Sequence, residues 1–281
     1  MDNTFNISRF GKYFVFDLKS RWKEHRIYML FYALFPFLIY VTSILFGIIG
    51  NGFASTFSGV DPVRPELPLR IIAFTMMTGL FLITFPSRTY GFITDKAKGS
   101  NWTLLPASRL EKFLSMMLIS LVIIPAAFLF VYLLGDSALC LIDKECGKSV
   151  FSAWMDRTSN GVMQLDMDSP LTLGTNGLWI MVSGVLQTVS VFLLGALVFK
   201  KRKVLGTAFS LFGIMLVLTT ILSVIINNCD FSNASSAAES WLYKHIDHLD
   251  TIFNFWGNLE LAVVVIGCGL LSWLRIKKIQ Y

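Results

Sequence analysis

Long apolar runs without charge, separated by short polar segments, dominate the pattern of the chain. The first extends from Tyr28 to Gly50. At a rise of about 1.5 Å per residue it is long enough to cross a hydrocarbon core about 30 Å thick. The predicted spans are residues 28–50, 69–90, 114–134, 178–199, 204–226 and 257–274. The pattern therefore predicts an all-α integral membrane protein with one transmembrane domain over residues 1–281.

Two of these spans have limits that the pattern leaves open. The charge-free part of the second covers only residues 71–85, so the span either starts with Arg70 at the interface or continues past Pro86. The sixth extends backwards to residue 253 if Glu260 faces protein or the interface.

The segment before the first span has the spacing of an amphipathic helix. Phe10, Phe14, Leu18 and Trp22 recur every four residues, and lysines occupy other faces. The spacing predicts that residues 1–27 form an amphipathic N-terminal helix lying in the cytoplasmic interface, in contact with lipid. It is either a simple membrane anchor or a lever that connects the first span to something below the membrane.

Composition excludes a water-soluble globular protein. Hydrophobic residues make up 54% of the chain and charged residues 15%, whereas soluble domains carry about 25% charged residues. The net charge is +6, but in a membrane chain the placement of charge matters more than its sum. We therefore expect lipid, and no nucleic acid, as a partner.

The placement of basic residues predicts the orientation of the chain. Lys200, Lys201, Arg202 and Lys203 would together cost on the order of 10 kcal/mol inside hydrocarbon, so they must form a tight hairpin at the surface. Of the 24 Lys and Arg residues, 18 lie before the first span, in 86–113, in this hairpin or after the last span. The positive-inside rule places these segments, and both termini, in the cytoplasm. Cys140 and Cys146 then lie outside, and whether they form a disulfide stays open.

The connection between the second and third spans is unusually apolar for a cytoplasmic loop. It carries Trp102 and Leu104–Leu105, followed by Pro106. Ser108 and Glu111 have the spacing of a capping box. This order predicts a short helix, a break at the proline, and a newly capped helix that enters the membrane. An exposed Trp and Leu pair would occupy a groove on a partner or the lipid surface.

This loop and the layout of six spans resemble the permease subunits of type-2 ABC exporters. The shared loop residues are Gly99, Leu104, Leu105, Pro106 and Ser108, with a slightly shifted Lys112. The resemblance implies a coupling helix that docks on a separate cytoplasmic ATPase, a second permease subunit, identical or homologous, and a bacterial inner membrane. The implied coupling residues are Asn101, Trp102, Leu104, Leu105, Pro106, Ser108, Glu111 and Lys112. Trp102 is the expected anchor.

Common catalytic signatures are missing from the chain. Gly147-Lys148-Ser149 lacks the upstream glycine of a P-loop, because Ile142 stands at that position. His245 and His248 are too weak a pattern for a metal site. We therefore expect no catalytic residues, no cofactor, no metal and no enzyme activity in this chain. The alternative to a permease is a non-transporting membrane scaffold or sensor that binds a cytoplasmic regulatory protein.

Overall fold

A computed structural model describes residues 5–52, 67–143, 146–159, 177–228 and 246–278. Within these ranges the chain is helical and contains no strand. The helices are α1 (Ile7–Gly52), α2 (Leu67–Tyr90), α3 (Lys96–Leu104), α4 (Arg109–Leu118), α5 (Ile124–Ile142), α6 (Val150–Ser159), α7 (Gly177–Val198), α8 (Lys203–Asn228) and α9 (Ile246–Lys278). A 3₁₀ turn (Gly91–Thr94) follows α2, and a π turn (Ile119–Ile123) joins α4 to α5.

Five helical segments are long and apolar enough to cross a membrane. They are Ile7–Leu45, Leu67–Thr94, Arg109–Ile142, Lys203–Val224 and Phe255–Lys278. The predicted all-α, multi-pass character is confirmed. The predicted span at 178–199 coincides with α7, whose described apolar part, Val182–Val198, is shorter. A total of six spans and the location of the termini therefore stay predictions.

The described helices belong to two compact units. The first unit draws on residues 1–82 and 106–160 and contains α1, most of α2, α4, α5 and α6. The second unit draws on 83–105 and 161–281 and contains the end of α2, the 3₁₀ turn, α3 and α7 to α9.

The described part of the predicted N-terminal helix and the first predicted span form one continuous helix. α1 runs without interruption from Ile7 to Gly52, because no glycine or proline occurs between Gly11 and Pro36 to end it. The four predicted lipid-facing residues are half-buried (Phe10, Phe14, Leu18) or exposed (Trp22). A different stripe of α1 is buried, and it consists of Tyr13, Asp17, His25 and Met29.

Aromatic side chains hold the middle of the first unit together. Phe81 of α2 stacks on Phe128 of α5 with ring centroids 4.1 Å apart. Tyr32 of α1 meets both rings edge-on at 5.2 Å. Nearby, Gly135 permits close approach of α5 and α1, because a Cβ there would lie 2.8 Å from the carbonyl oxygen of Ala33. These contacts join α1, α2 and α5 through favourable edge-to-face and stacked geometries.

The third predicted span is longer than residues 114–134. Helical structure extends from Arg109 to Ile142 through the π turn. Pro125 follows that turn and has no N–H to donate to the preceding helical turn, so a local change of helix type accommodates it. α6, within the predicted outer connection 135–177, was not predicted.

In the second unit, α7 lies against α8 and α9. Its buried residues include Val189, Leu193, Ala196 and Leu197. α8, by contrast, exposes its apolar side chains on every face between Phe209 and Val224. The helix that contains the sixth predicted span begins at Ile246, and its part long and apolar enough to cross a membrane is Phe255–Lys278. His245 lies outside the described residues, as do the other residues of 229–245.

Candidate functional site

The connection predicted to carry function contains the short helix α3. It begins after Asp95 and ends at Leu104, because Leu105 precedes Pro106 and is extended, with φ −61° and ψ 139°. The predicted sequence of short helix, break and new helix is confirmed.

The apolar residues of α3 do not share one environment. Leu104 is 74% exposed, and Asn101 and Pro106 are exposed too. Trp102 is only 5% exposed. The prediction of an exposed Trp102 is therefore wrong: burial of its large ring within the chain removes apolar area from water. Leu104 is the apolar side chain of α3 that a partner can reach.

A lysine from the α7–α8 hairpin holds the turn that precedes α3. The Lys203 ammonium donates to the carbonyl oxygen of Gly91 and, over 2.6 Å, to the hydroxyl of Thr94. Asp95 lies 4.0 Å from the same nitrogen. A Cβ at position 91 would lie 3.0 Å from Cδ of Lys203, so glycine provides the space that the lysine needs. The base of α3 is thus connected to the start of α8.

The hairpin itself has the tight form that its charges predicted. Only residues 199–202 separate α7 from α8, and Arg202 has a left-handed φ of 46°. Lys200, Lys201 and Arg202 are exposed, whereas Lys203 is half-buried. The sequence placed all four at a surface but did not indicate that one of them binds the α2–α3 connection.

The predicted capping box at the start of α4 is present. The hydroxyl of Ser108 accepts a hydrogen bond from the Glu111 amide at 3.3 Å, and the Glu111 carboxylate accepts one from the Ser108 amide at 2.9 Å. These two bonds satisfy amides that a helix start otherwise leaves without partners.

Glu111 also binds the start of α1. It is fully buried, and its carboxylate accepts hydrogen bonds from the Arg9 guanidinium at 2.8 to 3.0 Å and from the Asn6 amide at 3.0 Å. Lys112 is buried as well. Both side chains were predicted to contact an ATPase. Within the chain, however, Glu111 joins α4 to α1, so a role in coupling would be indirect.

A second polar contact joins the same two helices. Asp17 of α1 accepts a hydrogen bond from the Ser115 hydroxyl of α4 at 2.9 Å and another from Arg21 at 3.2 Å. Neither Arg9 nor Asp17 was predicted as a site residue. The spacing of Asp17 and Arg21 indicates their local pair, but no local signal identifies Ser115.

The opposite end of the first unit contains a buried ion pair. Arg70 is 6% exposed and lies 2.6 Å from the Asp136 carboxylate, which also accepts a hydrogen bond from the Val150 amide at 2.7 Å. Arg70, one of the two possible ends of the second predicted span, is thus paired inside the chain. The helix α2 also continues past Pro86 to Tyr90.

No group of three or more metal-ligating side chains occurs in the part of the chain that the structure describes.

The predicted coupling residues are divided between the two units. The second unit contains Asn101, Trp102, Leu104 and Leu105, and the first contains Pro106, Ser108, Glu111 and Lys112. No family model, curated protein or solved structure matches the chain.

Proposed function

We propose that this chain is the permease subunit of an ATP-driven ABC exporter in a bacterial inner membrane. ATP binding and hydrolysis on a separate cytoplasmic ATPase subunit would move a hydrophobic or amphipathic substrate across the membrane. The observation that supports this function best is α3, a short helix with an exposed Leu104, placed between two long apolar helices.

The surroundings of α3 suit a docking element. Trp102 is buried and fixes the short helix to its own chain, while Asn101 and Leu104 are exposed for a partner. Burial of the exposed Leu104 side chain in an apolar pocket of a partner would remove apolar area from water. We therefore assign the contact with the ATPase to Leu104 and Asn101 and reassign Trp102 to internal support.

Within the second unit, Lys203 connects the turn before α3 to α8, so a movement of α3 would be transmitted to α8. A displacement of α3 acts on the turn Gly91–Thr94, and Lys203 ties that turn to α8 by hydrogen bonds. Helices are stiff along their axes, so a movement at the start of α8 is carried into the apolar part of the helix.

The proposed second permease subunit needs an apolar surface on this chain. α8 supplies one, because its side chains are exposed on all sides over residues 212–224. Lipid covers whatever part of this surface a second subunit leaves open.

Substitution of the exposed leucine tests the proposed docking. We expect Leu104→Asp to abolish copurification with the ABC ATPase encoded beside this gene, because a carboxylate cannot enter an apolar pocket without losing its hydration. Leu141→Asp is the matched control, since Leu141 is 82% exposed at the far end of α5. It should leave copurification unchanged. Both variants must insert into the membrane at the wild-type level.

The same preparation separates the permease from the scaffold. Reconstituted with its ATPase, a permease should show ATP hydrolysis that a hydrophobic substrate stimulates and that Leu104→Asp removes. If no ABC ATPase copurifies with the wild-type chain, with or without nucleotide, the proposed function is wrong. Copurification of a regulatory protein without ATPase activity would favour the scaffold.

A further inference from the structure

Two cysteines lie beside the buried ion pair at the end of the first unit. The Sγ atoms of Cys140, at the end of α5, and Cys146, in the connection to α6, are 2.9 Å apart. Both are thiols in the structure. A covalent bond requires an approach to about 2.05 Å, which is a small movement for two side chains on a short connection.

The connection that contains Cys146 surrounds the Arg70 guanidinium. Arg70 donates to the carbonyl oxygens of Cys146 and Lys148 at 3.1 and 3.2 Å, and to the sulfur of Cys140 at 2.9 Å. Gly147 adopts a left-handed φ of 74°, which turns the backbone between those two carbonyl groups. The side chain of Arg70 thus depends on this connection for its remaining hydrogen bonds.

We propose that Cys140 and Cys146 form an intramolecular disulfide that closes this connection around Arg70. The inference rests on the proposed orientation, which places the connection outside the cytoplasm, where disulfides persist. Closing the loop restricts the unfolded chain and keeps the carbonyl groups of Cys146 and Lys148 at the guanidinium.

Formation of this bond requires an oxidant, which we identify by class as a disulfide-bearing thiol oxidant outside the cytoplasm. The half-buried Cys140 thiolate attacks one oxidant sulfur, and the other sulfur leaves as a thiol. Cys146 then attacks the mixed disulfide and releases the second thiol. Two protons and two electrons pass from the cysteines to the oxidant.

Burial decides which cysteine reacts first. Burial, and then the hydrogen bond with Cys140, raise the pKa of the Cys146 thiol to about 12. Cys146 is buried and Cys140 is half-buried, so an oxidant reaches Cys140 first. Once the mixed disulfide has formed, Cys146 loses its proton as it attacks the sulfur of Cys140. Its place beside Cys140 makes it suitable as the resolving cysteine.

Thiol counting in the full-length chain tests the proposal. In a Cys229→Ser, Cys268→Ser variant only Cys140 and Cys146 remain. Cells are quenched in acid, and the protein is denatured and labelled with a maleimide that carries a polyethylene glycol tail. We expect no labelling without reductant and two labels after reduction. Addition of Cys140→Ser should yield one label without reductant, which shows that denaturation exposes Cys146.

Two results would overturn the proposal: two labels without reductant, or a reductant-sensitive species of twice the mass, which would indicate a bond between chains. Copurification of the ATPase with the Cys229→Ser, Cys268→Ser variant is measured in a separate experiment. Loss of the ATPase beside an intact disulfide would remove the proposed function and leave the disulfide standing.

A stability measurement gives the second readout. Closing a loop of this size should raise the thermal unfolding midpoint of the detergent-solubilised wild-type chain by about 5 °C. A membrane-permeable reductant should therefore lower the midpoint of the wild type by this amount and leave that of Cys140→Ser unchanged. If the wild type unfolds at the same temperature with and without reductant, the Cys140–Cys146 disulfide does not stabilise the connection around Arg70.

Discussion

At the scale of single residues, the buried Glu111 carboxylate joins the start of α4 to the start of α1. It completes the cap of α4 and binds both the Arg9 side chain and the Asn6 amide. A buried carboxylate is stable only when its oxygens accept hydrogen bonds, and here each oxygen accepts at least two.

Glu111→Gln should therefore destabilise the protein by about 1.5–3 kcal/mol, the range for hydrogen bonds to charged groups. The amide keeps the size of the side chain but removes its charge and one acceptor oxygen. Thermal unfolding of the detergent-solubilised protein measures the change.

Glu24→Gln is the control for this substitution. Glu24 is exposed and pairs with Arg21 of the same helix at 3.1 Å, so its loss should cost less than about 0.5 kcal/mol. Equal destabilisation by the two variants would show that the contact between Glu111 and Arg9 contributes nothing specific.

At the scale of helices, α7 and α8 approach each other closely at one glycine. A Cβ at position 195 would overlap the side chain of the buried Thr207 of α8. Small residues permit this kind of contact between helices in a membrane, where packing replaces the hydrophobic effect as the driving force.

Gly195→Val should force α7 and α8 apart and destabilise the protein by about 1–3 kcal/mol, as overpacked sites do. Gly184→Val is the matched control in the same helix, since a Cβ there meets no atom within 4 Å. The thermal unfolding midpoints of the two variants show whether the close approach of α7 and α8 at position 195 causes the destabilisation. If Gly184→Val is as destabilising, the cause is the substitution in a helix and not the approach of α8.

Helix limits show what local sequence can predict. The hairpin at 199–202 and the capping box at Ser108 and Glu111 were predicted correctly, because both depend on residues within one turn. The continuity of α1 was not predicted, since the polar residues before Tyr28 are also good helix formers and nothing interrupts the helix there. Hydropathy locates the apolar part of a helix, but a helix extends as far as its backbone is uninterrupted.

At the scale of the whole molecule, the number of spans determines where the chain ends. Six spans place both termini on the same side of the membrane, whereas the five helices that meet the length and hydropathy criteria would place them on opposite sides. The two cases differ in whether α7 crosses the membrane.

Reporter fusions measure directly on which side of the membrane each segment lies. With six spans, a fluorescent protein fused after Tyr281 should fluoresce, because it matures in the cytoplasm, and alkaline phosphatase inserted between residues 160 and 176 should be active outside. Under the five-span topology with a cytoplasmic N-terminus, the C-terminal fusion would be dark. That outcome would also remove α7 from the list of spans.

By itself, the sequence determined that this is an all-helical membrane protein and where most of its apolar helices lie. These properties depend on hydrophobicity, capping and breaks, which act over a few neighbouring residues. Only the tertiary structure decided that Glu111 binds Arg9, that Lys203 binds the turn before α3, and that Trp102 is buried. The two polar contacts join residues about 100 positions apart, and an apolar ring is equally suited to a partner, to lipid or to its own chain. Packing of the helices settles which of these it meets.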